Sequence, residues 1–358
     1  MGRRKVLVLG SGKIGSLVTC LLAQSGQYDI HLASRKPGAA SRLIDELGLA
    51  SATGSELDAA NTAELARLVA REKFDVLVSA LPYHLNPGVV DLALAHGVNY
   101  FDLTEDVEVT RYVGDACAGS SNVFMPQCGL APGFINIVAA DLMGRFAELD
   151  SVKLRVGALP QHAANTLKYA LTWSTEGLIN EYLNPCQAIE HGQPCAVTAL
   201  EGLESLVLDG VPYEAFNTSG GLGTLAGTCA GRVRTMNYKS IRYPGHRASI
   251  KMLLLDLQLD TRRDLMGQIF ETALPRTDQD VVLVYCTAKG VIDGVLREKS
   301  LINKSFARTI NGQVWSAIQV TTAAGVLGVV DLMRIGALPS KGFVRQEQVK
   351  LDDFLNTE

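Results

Sequence analysis

The chain has 358 residues, 47% hydrophobic and 20% charged, with a net charge of −4, the make-up of an ordinary globular protein with more than one core. Nucleic acid is excluded as a partner, because Arg3-Arg4-Lys5 is short and runs straight into a strand and no denser basic cluster exists. A membrane is excluded too, because the longest apolar stretch, Ile318 to Val330, carries Gln319, Thr321 and Thr322 and ends at Asp331, as a buried helix does.

No secretory signal precedes the first glycines, and the 7 cysteines are dispersed, with no C-x-x-C pair and no zinc spacing to the 6 histidines. The expectation is reduced thiols, a cytoplasmic location and no metal.

In chain order, the apolar run Val6-Leu7-Val8-Leu9 leads into Gly10-Ser11-Gly12-Lys13-Ile14-Gly15, and a helix is predicted from Ile14 to Ala23. Strand, glycine turn and helix form the context in which G-x-G-x-x-G cradles a dinucleotide. Gly10 permits the tight turn, Gly12 lets the backbone approach a pyrophosphate, and Gly15 lets helix and strand pack closely. The helix N-terminus offers free N–H groups to the phosphates.

Tyr28 to Ala33 reads as a second strand, ending in Ser34-Arg35-Lys36 where NAD-specific folds usually carry an acidic residue. Ser34 suits a 2′-phosphate, and Arg35 suits that phosphate or the adenine face. The cofactor is therefore NAD(P), leaning to NADP. Ala40 to Gly48 and Thr62 to Glu72 read as helices, and Asp58 lies between them, beside the adenine or in a turn. Asp75 to Leu81 is nearly continuously apolar, as a buried parallel strand is. It ends in Pro82-Tyr83-His84, which places Tyr83 and His84 near the nicotinamide end. Asn86 to Gly97 (helix), Val98 to Leu103 (strand), Val107 to Ala118 (helix) and Val123 to Pro126 (strand) complete a doubly wound unit, with Asp102, Thr104 and Glu105 at a strand's carboxyl end.

From Gln127 the texture changes. Cys128 to Gly133 is a glycine-proline turn able to present N–H groups to an anion, and it feeds an apolar helix, Phe134 to Phe146. Ser151 to Val156 alternates, predicting a half-exposed strand of an antiparallel sheet, and Val233 to Tyr238, Val281 to Ala288 and Arg297 to Leu301 alternate likewise. Val314 to Leu332 reads as a long helix returning to the first domain. The expected division is 1–126 completed by 314–358 for the dinucleotide, and 127–313 for substrate and dimerisation.

Three further stretches are rich in chemistry. Asn165 to Gly177 mixes amide, ammonium, aromatic and carboxylate groups, including Lys168, Trp173 and Glu176, the last in a helix's first turn. Asn217 to Thr224 is a polar glycine loop containing Thr218. Arg242-Tyr243-Pro244-Gly245-His246 displays a guanidinium suited to a carboxylate, with a phenol and an imidazole. No nucleophile constellation is present, which fits hydride transfer, where the cofactor carries the difficult step.

Together these stretches resemble the saccharopine dehydrogenase-like superfamily and, within it, the L-lysine 6-dehydrogenases. The carrying residues are Ser79 to Tyr83, Cys128 to Gly133, Gly157 to Gln161, Leu167 to Leu171, Ser174 to Tyr182, Phe216 to Leu222 and Arg242 to His246. The resemblance implies a Rossmann doubly wound parallel sheet plus a second α+β domain with a mixed, largely antiparallel sheet, and a homodimer. It implies chemistry at a carbon–nitrogen bond of a lysine-derived amino acid, foremost oxidative deamination of the lysine ε-amine. Ala80, Leu81 and Pro82 would line the cofactor. His84, Glu176 or His246 would take the amine proton. Asp102, Glu105 or Glu176 would hold the substrate ammonium, Arg242 its α-carboxylate, with Tyr83, Cys128, Lys168, Trp173 and Thr218 around it. Ser34-Arg35 departs toward the NADP-using saccharopine reductases, and His162-Ala163-Ala164 stands before Asn165 where the family more often has an Asn-Pro turn. Glutamate-forming saccharopine oxidation is the second reading; it needs more cations, for which Arg155, Lys168, Arg232, Arg234 and Arg242 are available. A catalytically silent nucleotide-binding regulator is the third.

Overall fold

Apolar runs near the start of the chain become strands in regular alternation with helices. In the computed structural model, which describes residues 2–357, β1 (Arg4–Leu9) leads to α1 (Lys13–Gln24) and β2 (Tyr28–Ser34) to α2 (Ala39–Leu47). Then β3 (Ala52–Glu56) leads to α3 (Thr62–Glu72), β4 (Val76–Ser79) to α4 (Asn86–His96), β5 (Asn99–Asp102) to α5 (Val107–Ala116), and β6 (Val123–Met125) toward α6 (Phe134–Met143).

The strands lie parallel in the order β6-β5-β4-β1-β2-β3, and the two-residue strand Gly342–Phe343 extends the sheet beyond β6. The order reverses between β1 and β4, the crevice where doubly wound sheets bind ligands. Val6–Leu9 and Val76–Ser79 are wholly buried because helices cover both faces. Asn61 and Asp106 start α3 and α5 by accepting from the N–H groups of Glu64 and Val109, and Gly48 and Gly97 end α2 and α4 in the left-handed region.

The chain divides into two units, Met1–Ile137 with Thr321–Glu358, and Val138–Val320. The second unit holds β7 (Glu148–Pro160), α7 (Thr175–Leu183), β8 (Cys186–Glu190), β9 (Gln193–Val197), β10 (Glu204–Leu208), β11 (Val211–Asn217) and α8 (Leu225–Thr228). It continues with β12 (Val233–Arg242), α9 (His246–Lys251), α10 (Arg263–Ala273), β13 (Asp280–Ile292), β14 (Val295–Phe306), β15 (Arg308–Ile310) and β16 (Gln313–Trp315). Its large sheet runs β10-β11-β12-β7-β13-β14, with β8 beside β12 and β9 beside β8. It is mixed: β7 pairs parallel with β12 and antiparallel with β13. Leu178, Phe216 and Phe270, from α7, β11 and α10, share one core.

Two expectations are corrected. The segment Ser151 to Val156 alternates as expected only as far as Leu154, with Lys153 exposed between buried Val152 and Leu154; from there the central strand is buried on both faces. Of the segment's two charged members, Lys153 is exposed, whereas Arg155 is 1% exposed because Glu204 receives it. The long helix α11 (Ala317–Arg334) starts later than Val314, which closes the β15–β16 hairpin instead. The cause is the Asn311-Gly312 turn, with φ of 50° and 75°, the conformation of a two-residue hairpin.

Candidate active site

The glycine turn sits where the strand order reverses. Gly10 has a left-handed φ of 101°. Its N–H donates to the Ala33 carbonyl at 2.9 Å, and the Ala80 N–H donates to the Leu9 carbonyl at 2.9 Å. The ends of β1, β2 and β4 are thereby tied together. Gly15 lies so close beneath the turn that a Cβ would overlap the Gly10 carbonyl. Gly12 is the opposite case: its backbone is extended, and a Cβ would meet no protein atom within 4 Å. Exposed Lys13 and half-buried Ile14 open α1. Backbone facing open space at a helix N-terminus is what a pyrophosphate needs.

Ser11 Oγ lies 2.6 Å from Ser34 Oγ, joining the turn to the end of β2. Arg35 is exposed beside them, and the chain runs on through Lys36-Pro37-Gly38 without a carboxylate. Asp58 follows β3, where the Leu57 N–H donates to the Ser34 carbonyl at 3.0 Å. Its Oδ1 accepts the Ala60 N–H at 3.0 Å, so it closes a turn. Open backbone at Gly12, hydroxyls at Ser11 and Ser34 and a guanidinium at Arg35 fit NADP.

At the end of β4, Ala80, Leu81 and Tyr83 are half-buried, while Pro82 and His84 are exposed. The His84 ring meets the Tyr83 ring edge-on at 5.9 Å. Glu105 is half-buried in the loop after β5. Asp102 and Cys128 depart from expectation. Asp102 is 0% exposed. Its carboxylate accepts from Tyr100 Oη (2.7 Å), Asn86 Nδ2 (3.3 Å), the Thr104 N–H (3.0 Å) and the Gln127 N–H (3.0 Å). It fastens the carboxyl edge of the sheet and has no face for a substrate ammonium. Cys128 is buried, its thiol donates to the Met125 carbonyl at 3.0 Å, and burial pushes its pKa well up. It holds the turn rather than the substrate.

The second unit gathers a different set. Arg242, at the end of β12, is 3% exposed. It donates from Nη2 to Glu181 Oε2 (2.9 Å), from Nη1 to the Ile241 carbonyl (2.9 Å) and from Nε to Tyr182 Oη (3.3 Å). Its guanidinium lies 5.2 Å from the centre of the Tyr169 ring. Trp173 Nε1 donates to Tyr169 Oη at 3.1 Å. Burial raises the Glu181 carboxyl, against the pull of Arg242.

His246 is the main correction. It is 1% exposed, and both ring nitrogens are taken, Nδ1 by the Leu167 carbonyl at 2.7 Å and Nε2 by Tyr182 Oη at 2.9 Å. Burial first, and the Arg242 charge second, push its pKa down to about 3. It is a neutral structural imidazole, not the proton acceptor. Thr218 is also turned inward, its hydroxyl 2.7 Å from Ser240 Oγ. Lys168 and Glu176 are exposed. Lys168 Nζ donates to the Pro244 carbonyl at 2.8 Å, and Glu176 sits in the first turn of α7, which Ser174 caps.

Sequence reasoning assigned no role to Glu181, Tyr182 or Tyr169. The available signal was a glutamate inside the apolar run Leu178-Ile179-Asn180-Glu181-Tyr182-Leu183, since an acid on a core-facing helix needs a cation nearby.

Family models match nearly end to end: a saccharopine dehydrogenase NADP binding domain at residues 6–124 and a saccharopine dehydrogenase C-terminal domain at 129–357. The chain belongs to the saccharopine dehydrogenase family. It is 26% identical over 204 residues to the mitochondrial alpha-aminoadipic semialdehyde synthase of Mus musculus, covering 55% of this chain and 21% of that protein. It is 23% identical over 213 residues to the saccharopine dehydrogenase [NADP(+), L-glutamate-forming] of Schizosaccharomyces pombe, covering 56% and 45%. The match therefore spans less than half of either relative. Apo saccharopine dehydrogenase (L-Glu forming) from Saccharomyces cerevisiae shares the fold, with a TM-score of 0.78 at 18% identity over 98% of this chain and 96% of that one.

The matched NADP binding domain holds the glycine turn and Ser34-Arg35, and the end of β2 is where its choice of nucleotide is tested. Ser34→Asp puts a carboxylate at the 2′-phosphate position. The expected result is NADPH binding weakened about tenfold to 100-fold with NADH binding retained, read by fluorescence titration of both nucleotides.

Proposed function

We propose that this oxidoreductase removes hydride from the carbon bearing the ε-nitrogen of a lysine-derived amino acid, releasing the 6-semialdehyde. The Arg242–Glu181 couple carries the reading: a guanidinium and a carboxylate held together match the carboxylate and ammonium of one α-amino acid. Bound NADP supplies the hydride acceptor. The protein must take a proton from the ε-amine, because only a neutral amine releases hydride from its carbon, and must admit one water for hydrolysis of the imine. With His246 closed off, the solvent-facing groups for that proton are His84 and Glu176.

Two substrates share this chemistry and differ only in what the ε-nitrogen carries. L-Lysine is favoured by the ion pairing. Saccharopine brings two further carboxylates, and of the further cations Arg155 and Arg234 are engaged by Glu204 and Asp150. L-Saccharopine is favoured by the names of the relatives above. The test is NADPH formation at alkaline pH with each substrate, run with NADP+ and NAD+ in parallel. Turnover of lysine supports the first reading, and turnover of saccharopine alone supports the second. Tight NADPH binding without turnover of either overturns both.

A further inference from the structure

We propose that Tyr182 and His246 are positioning residues that aim two N–H bonds of Arg242 at the α-carboxylate of the substrate. This rests on the reading above for the substrate's identity, but the relay itself is fixed by atoms of this chain.

The direction of each bond follows from chemistry. The Leu167 carbonyl only accepts, so the proton of neutral His246 sits on Nδ1, and Nε2 is left as an acceptor. The Tyr182 hydroxyl must then donate to Nε2, which turns its oxygen lone pairs toward Arg242 Nε–H. Arg242 thus receives a fixed acceptor from one side. Glu181 and the Ile241 carbonyl take one N–H each from Nη2 and Nη1.

A guanidinium has five N–H bonds, and these three contacts leave one on each terminal nitrogen. That pair is the fork that grips a carboxylate through two parallel hydrogen bonds. The Tyr169 ring covers one face of the guanidinium, which leaves its edge for the ligand. The support is stiff as well as directional. Glu214 takes the N–H groups of Gly245 (3.0 Å) and Arg247 (2.6 Å) and so braces the turn that delivers the imidazole. Tyr182, Arg242 and His246 are all buried, so water does not replace a lost link.

The experiment follows the Arg242 Nε–H signal in full-length, arginine-15N-labelled protein bound to NADPH, where no turnover occurs; Arg242→Lys assigns the signal. L-Lysine is expected to shift it, and 1,5-diaminopentane, which lacks the α-carboxylate, is expected not to. Tyr182→Phe and His246→Ala should lose the protected signal. They should also lower the kcat/KM preference for L-lysine over 1,5-diaminopentane about tenfold. His246→Gln, whose amide oxygen can accept from Tyr182, should restore both; a merely structural role predicts no such rescue. An Arg242 signal indifferent to L-lysine, or unchanged in His246→Ala, overturns the proposal. A signal that responds to L-lysine in a protein that turns over neither lysine nor saccharopine supports the relay while removing the proposed reaction.

Discussion

Replacing Gly15 with valine is expected to raise the Kd for NADPH about 100-fold and to destabilise the first unit. A side chain there overlaps the Gly10 carbonyl and presses on Ala80 Cβ at 3.3 Å. Both neighbours stand at strand ends beside the reversal of strand order, and both are held by the Gly10–Ala33 and Ala80–Leu9 hydrogen bonds. Backbone rather than a flexible side chain must give way, so α1 lifts and its N–H groups leave the pyrophosphate position. Gly12→Ala is the control. Its φ of −74° and ψ of −175° suit any residue, and nothing in the protein meets the new methyl within 4 Å. It should keep the stability of the parent and lose NADPH affinity alone, because only the nucleotide approaches there. Urea midpoints and NADPH titrations on the two variants read this. Equal stability of Gly15→Val and the parent sinks the packing argument.

The contrast between these glycines shows what a sequence carries plainly. Each glycine of the turn has one local job, and the alternation of apolar runs with amphipathic helices leaves one reading of the first unit. The second unit was legible only where strands alternate strongly. The hairpins β8–β9, β10–β11, β13–β14 and β15–β16 turn on His191-Gly192, Asp209-Gly210, Asp293-Gly294 and Asn311-Gly312, each with both φ values positive. Those dipeptides were the missed signal, since a residue-glycine pair between short strands favours this turn.

The candidate site failed differently. Arg242 and His246 were found as residue types, but whether a histidine is a base or a bracket depends on what surrounds it. Tyr182 and Leu167 are distant from His246 in sequence. Burial with both nitrogens bonded turned an expected proton acceptor into a neutral link. Arg155 was one of the cations available to the second reading. It is consumed by Glu204, whose carboxyl Arg155 and Lys239 pull down to about 2 against the opposing effect of burial.

Asp102 carries the other large expected effect. Burial raises its carboxyl to about 6, even though the Thr104 and Gln127 N–H groups and the Tyr100 hydroxyl oppose the shift. In the unfolded chain it ionises near the ordinary value of about 3.9. Between those two values the native state holds a proton that the unfolded state has released, so stability falls as pH rises from about 4 to about 6 and stays lowered above. The ionised form therefore costs about 3 kcal/mol at neutral pH. Asp102→Asn keeps an oxygen for the two N–H groups and never ionises. Its stability relative to the parent should rise through that interval, while Glu181 and Asp280, also raised by burial, cancel in the difference. Asp102→Ala is expected to lose about 2–6 kcal/mol, because the Thr104 and Gln127 N–H groups are left without an acceptor, Gln127 being held at a φ of 64°. Urea unfolding from pH 4 to 7 measures both variants. A parent–Asn difference that does not change with pH would show that Asp102 ionises in the native state as it does in the unfolded chain, its four donors offsetting its burial.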